Sequence, residues 1–148
     1  MSYTIPMAAP DTAFIDCDAE PFVYEGMSVH QHHKGGQMAW DASKIELWLS
    51  EEQKSGLSMS GHALLDEVSK KNPFNVNVLS FLVAHMDLIP KEWEEQRIIF
   101  WGTVYLNGLG GLCIASLTYG ERGWNVEMKY LDENFSEADF AAIPLVIQ

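Results

Sequence analysis

Basic residues are scarce in this 148-residue chain. Nine lysines and arginines stand against 21 aspartates and glutamates, which gives a formal net charge of −12. A surface of that sign repels phosphate groups, so direct binding to DNA, RNA or an anionic membrane is disfavoured. Two interpretations stay open: a basic protein partner, or a charge that serves only solubility.

Cysteines are also few, with only Cys17 and Cys113, and no CxxC spacing occurs. Two cysteines do not form a disulfide framework, although a single bridge between them stays open. Cys113 lies in an apolar run, where a thiol behaves as a small hydrophobic side chain.

Long hydrophobic segments are absent from the sequence. No stretch approaches the run of about 18 apolar residues that a transmembrane helix needs, and the first residues do not resemble a signal peptide. We therefore expect a cytoplasmic protein without a membrane segment. The length favours one domain over residues 1–148, with the proline-containing residues 1–12 as a loose terminus.

Three strands are predicted between Arg97 and Leu131, separated by turns at residues 107–111 and 120–123. Asn-Gly between apolar runs is a strong hairpin signal, because both residues tolerate the backbone conformation of a tight turn. The third strand alternates in polarity, and its apolar members are Trp124, Val126, Met128 and Tyr130. We expect this antiparallel meander to be the platform of the fold.

The first strand of the meander is apolar on both faces. Strict alternation places Ile98, Phe100, Val104 and Leu106 on one face, and Ile99, Trp101 and Tyr105 on the other. The second face then needs a cover, which could be an amino-terminal strand, a second subunit or a ligand. Because Trp and Tyr dominate interface hot spots, Trp101 and Tyr105 are candidate interface anchors.

Two main helices are predicted before the meander. Ser60 is placed to cap a helix that ends by Asn72, and Asn75 or Asn77 is placed to cap a second, very apolar helix. The segment from Ser136 resembles a capping box and predicts a short helix at residues 140–143.

Strands are also predicted upstream of these helices. Residues 28–33 and 37–40 are strand candidates joined by a Lys-Gly-Gly turn. The order of elements predicts an α+β fold, with the two main helices packed on one face of an antiparallel sheet.

The carboxyl-terminal half resembles a module of uncharacterised bacterial proteins. The matching segments between Asn75 and Ile143 are NVNVLSFLVAHMDLIPKEW, IIFWGTVYLNGLGGLCIASL, WNVEMKYL and AAIP. The resemblance covers about half the chain and implies no known activity and no catalytic residue. The module carries arginines in its second strand where this chain has Ala115 and Ser116, so an anion-binding role of those arginines would not carry over.

A histidine cluster, His30-Gln31-His32-His33, is the candidate metal site. On a regular strand His30 and His32 share a face and could reach one Zn²⁺ or Ni²⁺ ion. A catalytic zinc site needs a third protein ligand, for which Glu25, Asp41 and His62 are the candidates. The competing interpretation, which we prefer, is a polar hairpin tip.

Motifs of catalysis are otherwise missing. There is no GxSxG, no Cys/His pairing of a nucleophile motif, and the Gly-Leu-Gly-Gly at 108–111 lacks the lysine and helix of a phosphate loop. No cofactor is therefore expected. These absences favour a non-enzymatic protein and leave a metal-dependent or small-ligand-binding enzyme that uses His30, His32 and a carboxylate as the alternative.

Carboxylates occur in short runs that are predicted to be exposed. The candidate interaction residues among them are Glu92, Glu94, Glu95, Asp132 and Glu133. Together with the net charge they predict a basic protein partner or self-association, for example as a homodimer. One specific form is an inhibitor that mimics nucleic acid, as proteins of mobile elements sometimes do.

Overall fold

The computed structural model describes residues 14–145. These residues form a mixed α+β fold whose sheets are mostly antiparallel, which confirms the predicted fold class at that level. The predicted loose terminus, residues 1–12, lies outside the described residues.

The described chain has ten strands, three α-helices and four short 3₁₀ segments. The strands are β1 (Phe14–Asp16), β2 (Met27–His32), β3 (Gln37–Ala39), β4 (Ile45–Trp48), β5 (Met59–Ser60), β6 (Arg97–Asn107), β7 (Leu112–Gly120), β8 (Gly123–Tyr130), β9 (Asn134–Phe135) and β10 (Asp139–Pro144). The helices are α1 (Glu51–Lys54), α2 (Gly61–Val68) and α3 (Val76–Ala84), and the 3₁₀ segments are Ala42–Lys44, Ser69–Lys71, Met86–Leu88 and Lys91–Glu95.

The main sheet has six strands in the order β4-β10-β6-β7-β8, with β2 also paired to β6. Strands β6, β7 and β8 pair antiparallel in sequence order. On its other edge, β6 pairs with β10 in parallel over residues 97–99 and with β2 in antiparallel fashion over residues 103–107. The long β6 is therefore the central strand of the sheet.

A bulge in β6 interrupts the alternation of its side chains. Ile99 lies opposite Ser116 and Val104 lies opposite Ile114, so the four residues between them face a single residue of β7. Val104 consequently lies in the same apolar cluster as Trp101, and Tyr105 lies in the cluster of Phe100. The predicted faces of Val104 and Tyr105 were wrong, because strict alternation does not survive the bulge.

Each face of the sheet has its own helix. One apolar cluster combines Ile98, Phe100 and Tyr105 with the buried face of α3, and we call its side of the sheet the α3 side. The other combines Ile99, Trp101 and Val104 with Leu64 and Val68 of α2, and we call its side the α2 side. The prediction that both main helices share one face was wrong, because a strand that is apolar on both faces needs a cover on each.

The predicted caps of α2 and α3 are confirmed. The Ser60 hydroxyl accepts a hydrogen bond from the Ala63 N–H, and the Asn75 side chain accepts one from the Asn77 N–H. The Asn75 amide also donates to the carbonyls of Cys17 and His33 at 2.9 Å each, so this cap ties α3 to the amino-terminal segment.

The capping pattern at Ser136 does not start a helix. The Ser136 N–H donates to Asp139 Oδ2 at 2.7 Å, as the motif predicts, whereas the Ser136 hydroxyl accepts the Ala138 N–H at 3.2 Å and the Asp139 N–H donates to the Ser136 carbonyl. The chain then continues as strand β10, which lies between β4 and β6. The predicted helix at residues 140–143 was wrong, because two neighbouring strands bind this backbone instead.

The two strands predicted at residues 28–33 and 37–40 do not pair with each other as a hairpin. Strand β3 pairs with β1, whereas β2 pairs with β6. Gly36 has a positive φ of 78° and its carbonyl accepts a hydrogen bond from Cys17 N–H, so the Lys-Gly-Gly segment redirects the chain rather than closing a hairpin. The histidines of β2 therefore belong to the main sheet and not to a hairpin tip.

Candidate functional site

His30 and His32 lie in strand β2, where a second bulge separates them. The pairing of β2 with β6 shifts register between Val29 and Gln31, so His30 has no opposing residue. His30 is exposed, whereas His32 lies opposite Thr103 and is half-buried. The simple alternation that placed both imidazoles on one face is therefore interrupted.

His32 is tied into the beginning of α3. Its Nδ1 lies 3.0 Å from Thr103 Oγ1, and the same hydroxyl oxygen accepts the Val76 N–H at 2.9 Å. Burial lowers the pKa of His32, and this effect outweighs nearby groups that raise it, among them the carbonyls of Ala19 and Cys17. A neutral, half-buried imidazole is the result.

Within residues 14–145, no group of three or more His, Cys, Asp or Glu side chains is arranged to hold a metal ion. The metal site at His30 and His32 stays a prediction.

Trp101 and Tyr105 are interior residues. Trp101 is 2% exposed and its ring packs 5.2 Å from that of Phe135, while Tyr105 is fully buried and its hydroxyl donates to the Phe22 carbonyl at 2.6 Å. Their surface is covered within the chain, and their role as interface anchors stays a prediction.

The candidate acidic residues lie in two separate segments. Glu92, Glu94 and Glu95 belong to the 3₁₀ segment before β6, and Asp132 and Glu133 follow β8. All are exposed except Glu94, which is half-buried. Asp132 Oδ1 lies 2.8 Å from His62 Nε2, and Glu133 Oε2 accepts the Tyr130 N–H at 2.9 Å. Their interaction role stays a prediction, and the structure shows that Glu133 binds the last residue of β8 and that Asp132 lies against α2.

The buried carboxylate of Asp139, three residues after Ser136 in the capping pattern, has two cationic partners. Asp139 has 1% of its side chain exposed, and it accepts a hydrogen bond from Arg97 Nη1 at 2.9 Å and lies 3.6 Å from Lys129 Nζ. Arg97 also lies 3.7 Å from Glu127. The charges of this cluster compensate one another within the chain, so its visible role is to join β6, β8 and β10.

Strand β8 is the last strand of the main sheet. Among the described residues it pairs with β7 alone. Trp124, Val126 and Met128 pack half-buried against the α3 side, and Glu127 is exposed. An edge of this kind presents a row of backbone N–H and C=O groups that can bind another strand.

No helix of the described residues is long and apolar enough to cross a membrane. The chain matches no family model, and no curated protein and no solved structure is significantly similar to it. The resemblance to the bacterial module therefore stays a prediction.

Proposed function

We propose that this protein is a non-enzymatic binding module that associates with a second copy of itself through strand β8. The observation that supports this proposal is the position of β8 at the end of the sheet, with one strand neighbour among residues 14–145. Addition of a strand to such an edge is a common mode of protein association.

The turn before β8 determines which of its backbone groups face outward. A two-residue loop, Glu121–Arg122, joins the paired residues Gly120 and Gly123. In such a hairpin these flanking residues exchange hydrogen bonds, and hydrogen-bonded pairs then alternate along the ladder. The outward-facing N–H and C=O groups therefore belong to Trp124, Val126, Met128 and Tyr130.

Charge selects one register for two antiparallel copies of β8. A two-fold axis at Glu127 would place two Glu127 carboxylates opposite each other, and an axis at Val126 would make no charged pair. An axis at Met128 places Glu127 of each copy opposite Lys129 of the other, in addition to the contacts that these residues make with Arg97 and Asp139 of their own chain. Opposite charges at such positions contribute about 0.2–1 kcal/mol per pair, while like charges destabilise.

The net charge makes this association weak at low salt. Each copy carries a formal charge of −12, so two copies repel each other until salt screens that repulsion. Self-association through β8 should therefore strengthen as salt increases. Binding to a basic partner would weaken instead, so the salt dependence separates the two interpretations.

The test is light scattering coupled to size exclusion, over a range of protein and salt concentrations. We expect a concentration-dependent dimer whose fraction rises with salt. The Glu127→Lys variant should lose it, because two lysines then oppose each other in each pair. The matched control is Glu121→Lys, which makes the same change in net charge in the exposed turn and should dimerise at least as well as the native chain.

A monomer at every concentration would refute the proposal. If Glu127→Lys and Glu121→Lys form the same fraction of dimer, the antiparallel pairing of two β8 strands about Met128 is refuted.

A basic protein partner is the second candidate, and the exposed carboxylates Glu92, Glu95, Asp132 and Glu133 favour it. Calorimetric titration with a lysine-rich peptide should then give binding that weakens steeply with salt. A variant with all four residues changed to glutamine or asparagine should lose most of that binding. If the titration of the native protein at low salt shows no heat of binding, this candidate is eliminated.

A further inference from the structure

The turn between β6 and β7 contains the only Asn-Gly pair of the chain, Asn107-Gly108. The backbone nitrogen of the residue after an asparagine can attack the side-chain amide, and glycine hinders that attack least because it has no Cβ. The other asparagines precede proline, valine or phenylalanine; they are Asn72, Asn75, Asn77, Asn125 and Asn134. Asn107 is therefore the asparagine at which this reaction is least obstructed.

The attacking group is the backbone nitrogen of Gly108. This residue is exposed, and its N–H makes no hydrogen bond among residues 14–145. A Cβ at Gly108 would meet no atom nearer than the Gly26 carbonyl oxygen, 3.8 Å away, so the fold admits an alanine at this position. Within the described chain, the attack on the amide thus breaks no hydrogen bond of this nitrogen.

The group under attack is the side-chain carbonyl of Asn107. Its Oδ1 accepts the Leu109 N–H at 3.0 Å and the Gly111 N–H at 2.7 Å. Attack on Cγ moves negative charge onto Oδ1, and N–H donors already directed at an oxygen stabilise the charge that develops there. The turn therefore provides an oxyanion hole from its own backbone.

Tyr130, the last residue of β8, contacts the nitrogen of the same amide. Asn107 Nδ2 donates a hydrogen bond to the Tyr130 hydroxyl at 2.9 Å. In the tetrahedral intermediate this nitrogen becomes an amine with a free electron pair. A hydroxyl group both accepts and donates hydrogen bonds, so Tyr130 can then give its proton to the amine as a general acid.

We propose that Asn107 is a modification site whose own turn promotes the loss of its side-chain amide. The Gly108 nitrogen gives its proton to solvent base and forms a bond to Asn107 Cγ. The bond from Cγ to Nδ2 breaks, and ammonia leaves with the proton of Tyr130, which solvent replaces. Water then opens the resulting succinimide ring to aspartate or isoaspartate. The net reaction consumes one water and releases one ammonia, without oxidation or reduction.

The aspartate product keeps the contacts of the turn. One oxygen of a carboxylate at position 107 can accept the same two backbone N–H groups, and the other can accept the Tyr130 hydroxyl, which then acts as the donor. Hydrogen bonds to a charged acceptor are stronger than those to a neutral amide. The modification adds one negative charge to a chain whose formal charge is already −12. The reaction takes place within one chain, so it does not depend on dimerisation through β8.

The test follows the protein at mildly alkaline pH by mass spectrometry of the intact chain and of its peptides. Replacement of an NH₂ group by an OH group is expected first in the peptide that contains Asn107. Gly108→Ala should slow the reaction by at least roughly tenfold, because the added Cβ crowds the attacking nitrogen. Circular dichroism checks that this variant and those below are folded.

Two tyrosine variants test the contribution of the structure beyond the Asn-Gly sequence. Tyr130→Phe removes the hydroxyl and keeps the ring, and it should slow the reaction by at least about tenfold, since a general acid typically contributes more than that. The matched control is Tyr119→Phe in β7, because Tyr119 is 45% exposed and Tyr130 is 43% exposed. The control should react like the native protein.

The proposal is overturned if Asn107 keeps its amide as long as the other asparagines keep theirs, or if Gly108→Ala reacts at the native rate. It is also overturned if Tyr130→Phe reacts as fast as Tyr119→Phe, since the turn would then add nothing to the reactivity of the Asn-Gly pair.

Discussion

Replacing Gly102 by alanine would place a methyl group against the backbone that begins α3. A Cβ at this position would lie 2.7 Å from both the N and the Cα of Asn75, and 2.8 Å from the carbonyl carbon of Phe74. Carbon atoms in contact prefer separations of about 3.5–4.0 Å, so the two segments would have to move apart by about 1 Å.

Hydrogen bonds on both sides of Gly102 resist that movement. Its N–H donates to the Phe74 carbonyl at 2.9 Å, and its carbonyl accepts the His33 N–H at 2.7 Å. Overpacking of a core typically costs about 1–3 kcal/mol, and the loss of one hydrogen bond adds about 1 kcal/mol. We expect Gly102→Ala to lower the free energy of unfolding by about 2–4 kcal/mol. For a chain of this size that corresponds to a fall in Tm of roughly 5–15 °C.

Thermal and urea unfolding followed by circular dichroism measure this effect. The matched control is Gly120→Ala, because the nearest atom to a Cβ at Gly120 is 4.0 Å away, on a side chain. The control should unfold like the native protein or slightly later, since alanine restricts the unfolded chain more than glycine does. A Gly102→Ala variant within about 0.5 kcal/mol of the native protein would refute the close contact, because that is the usual range of harmless surface substitutions.

Three further predictions concern buried polar groups. Asp139→Asn should lower the free energy of unfolding by about 2–4 kcal/mol in urea titrations, because it removes the buried partner of two cations. The control Glu51→Gln breaks an exposed pair and should cost less than about 0.5 kcal/mol. Equal effects of the two substitutions would contradict the buried pair. Because burial lowers the pKa of His32, its contribution to the free energy of unfolding should be fully present above pH 6.5 and should be lost as the pH falls below that value. His32→Gln should therefore reduce the slope of the free energy of unfolding against pH in this range. An unchanged slope would assign the pH dependence to other groups. Cys17 and Cys113 are buried free thiols, and burial raises the pKa of both, that of Cys17 to about 11. A thiol reagent at neutral pH should therefore label them only when the protein unfolds. Rapid labelling of the native protein would show that the thiols are accessible and would contradict this prediction.

The candidate surfaces on strand β8 and on the acidic segments were partly predictable from the sequence. The alternation of β8 identified its apolar residues, and the charge total predicted exposed carboxylates such as Glu92 and Asp132. The cavity of about 350 Å³ that Gln31, Leu65 and Trp101 line was not predictable, because these residues come from β2, α2 and β6. No spacing within any one of these segments reports that they meet.

Local patterns by themselves determined the elements that depend only on neighbouring residues. Ser60, and Asn75 or Asn77, identified the starts of α2 and α3, because a cap bonds to backbone groups two or three residues away; the structure shows Asn75 as the cap of α3. The turn at Gly120–Gly123 likewise followed from residues that tolerate its conformation.

Tertiary structure alone decided which face each residue of β6 occupies and whether the chain after Ser136 forms a helix or a strand. The bulge after Ile99 coincides with hydrogen bonds from Gly102 to Phe74 and from His33 to Gly102, which are contacts between distant parts of the chain. Asp139 meets Arg97 and Lys129 only because β10 inserts beside β6. The alternation of side chains along a strand does not reveal an inserted residue or a distant partner. These features can therefore be seen only once the strands are paired.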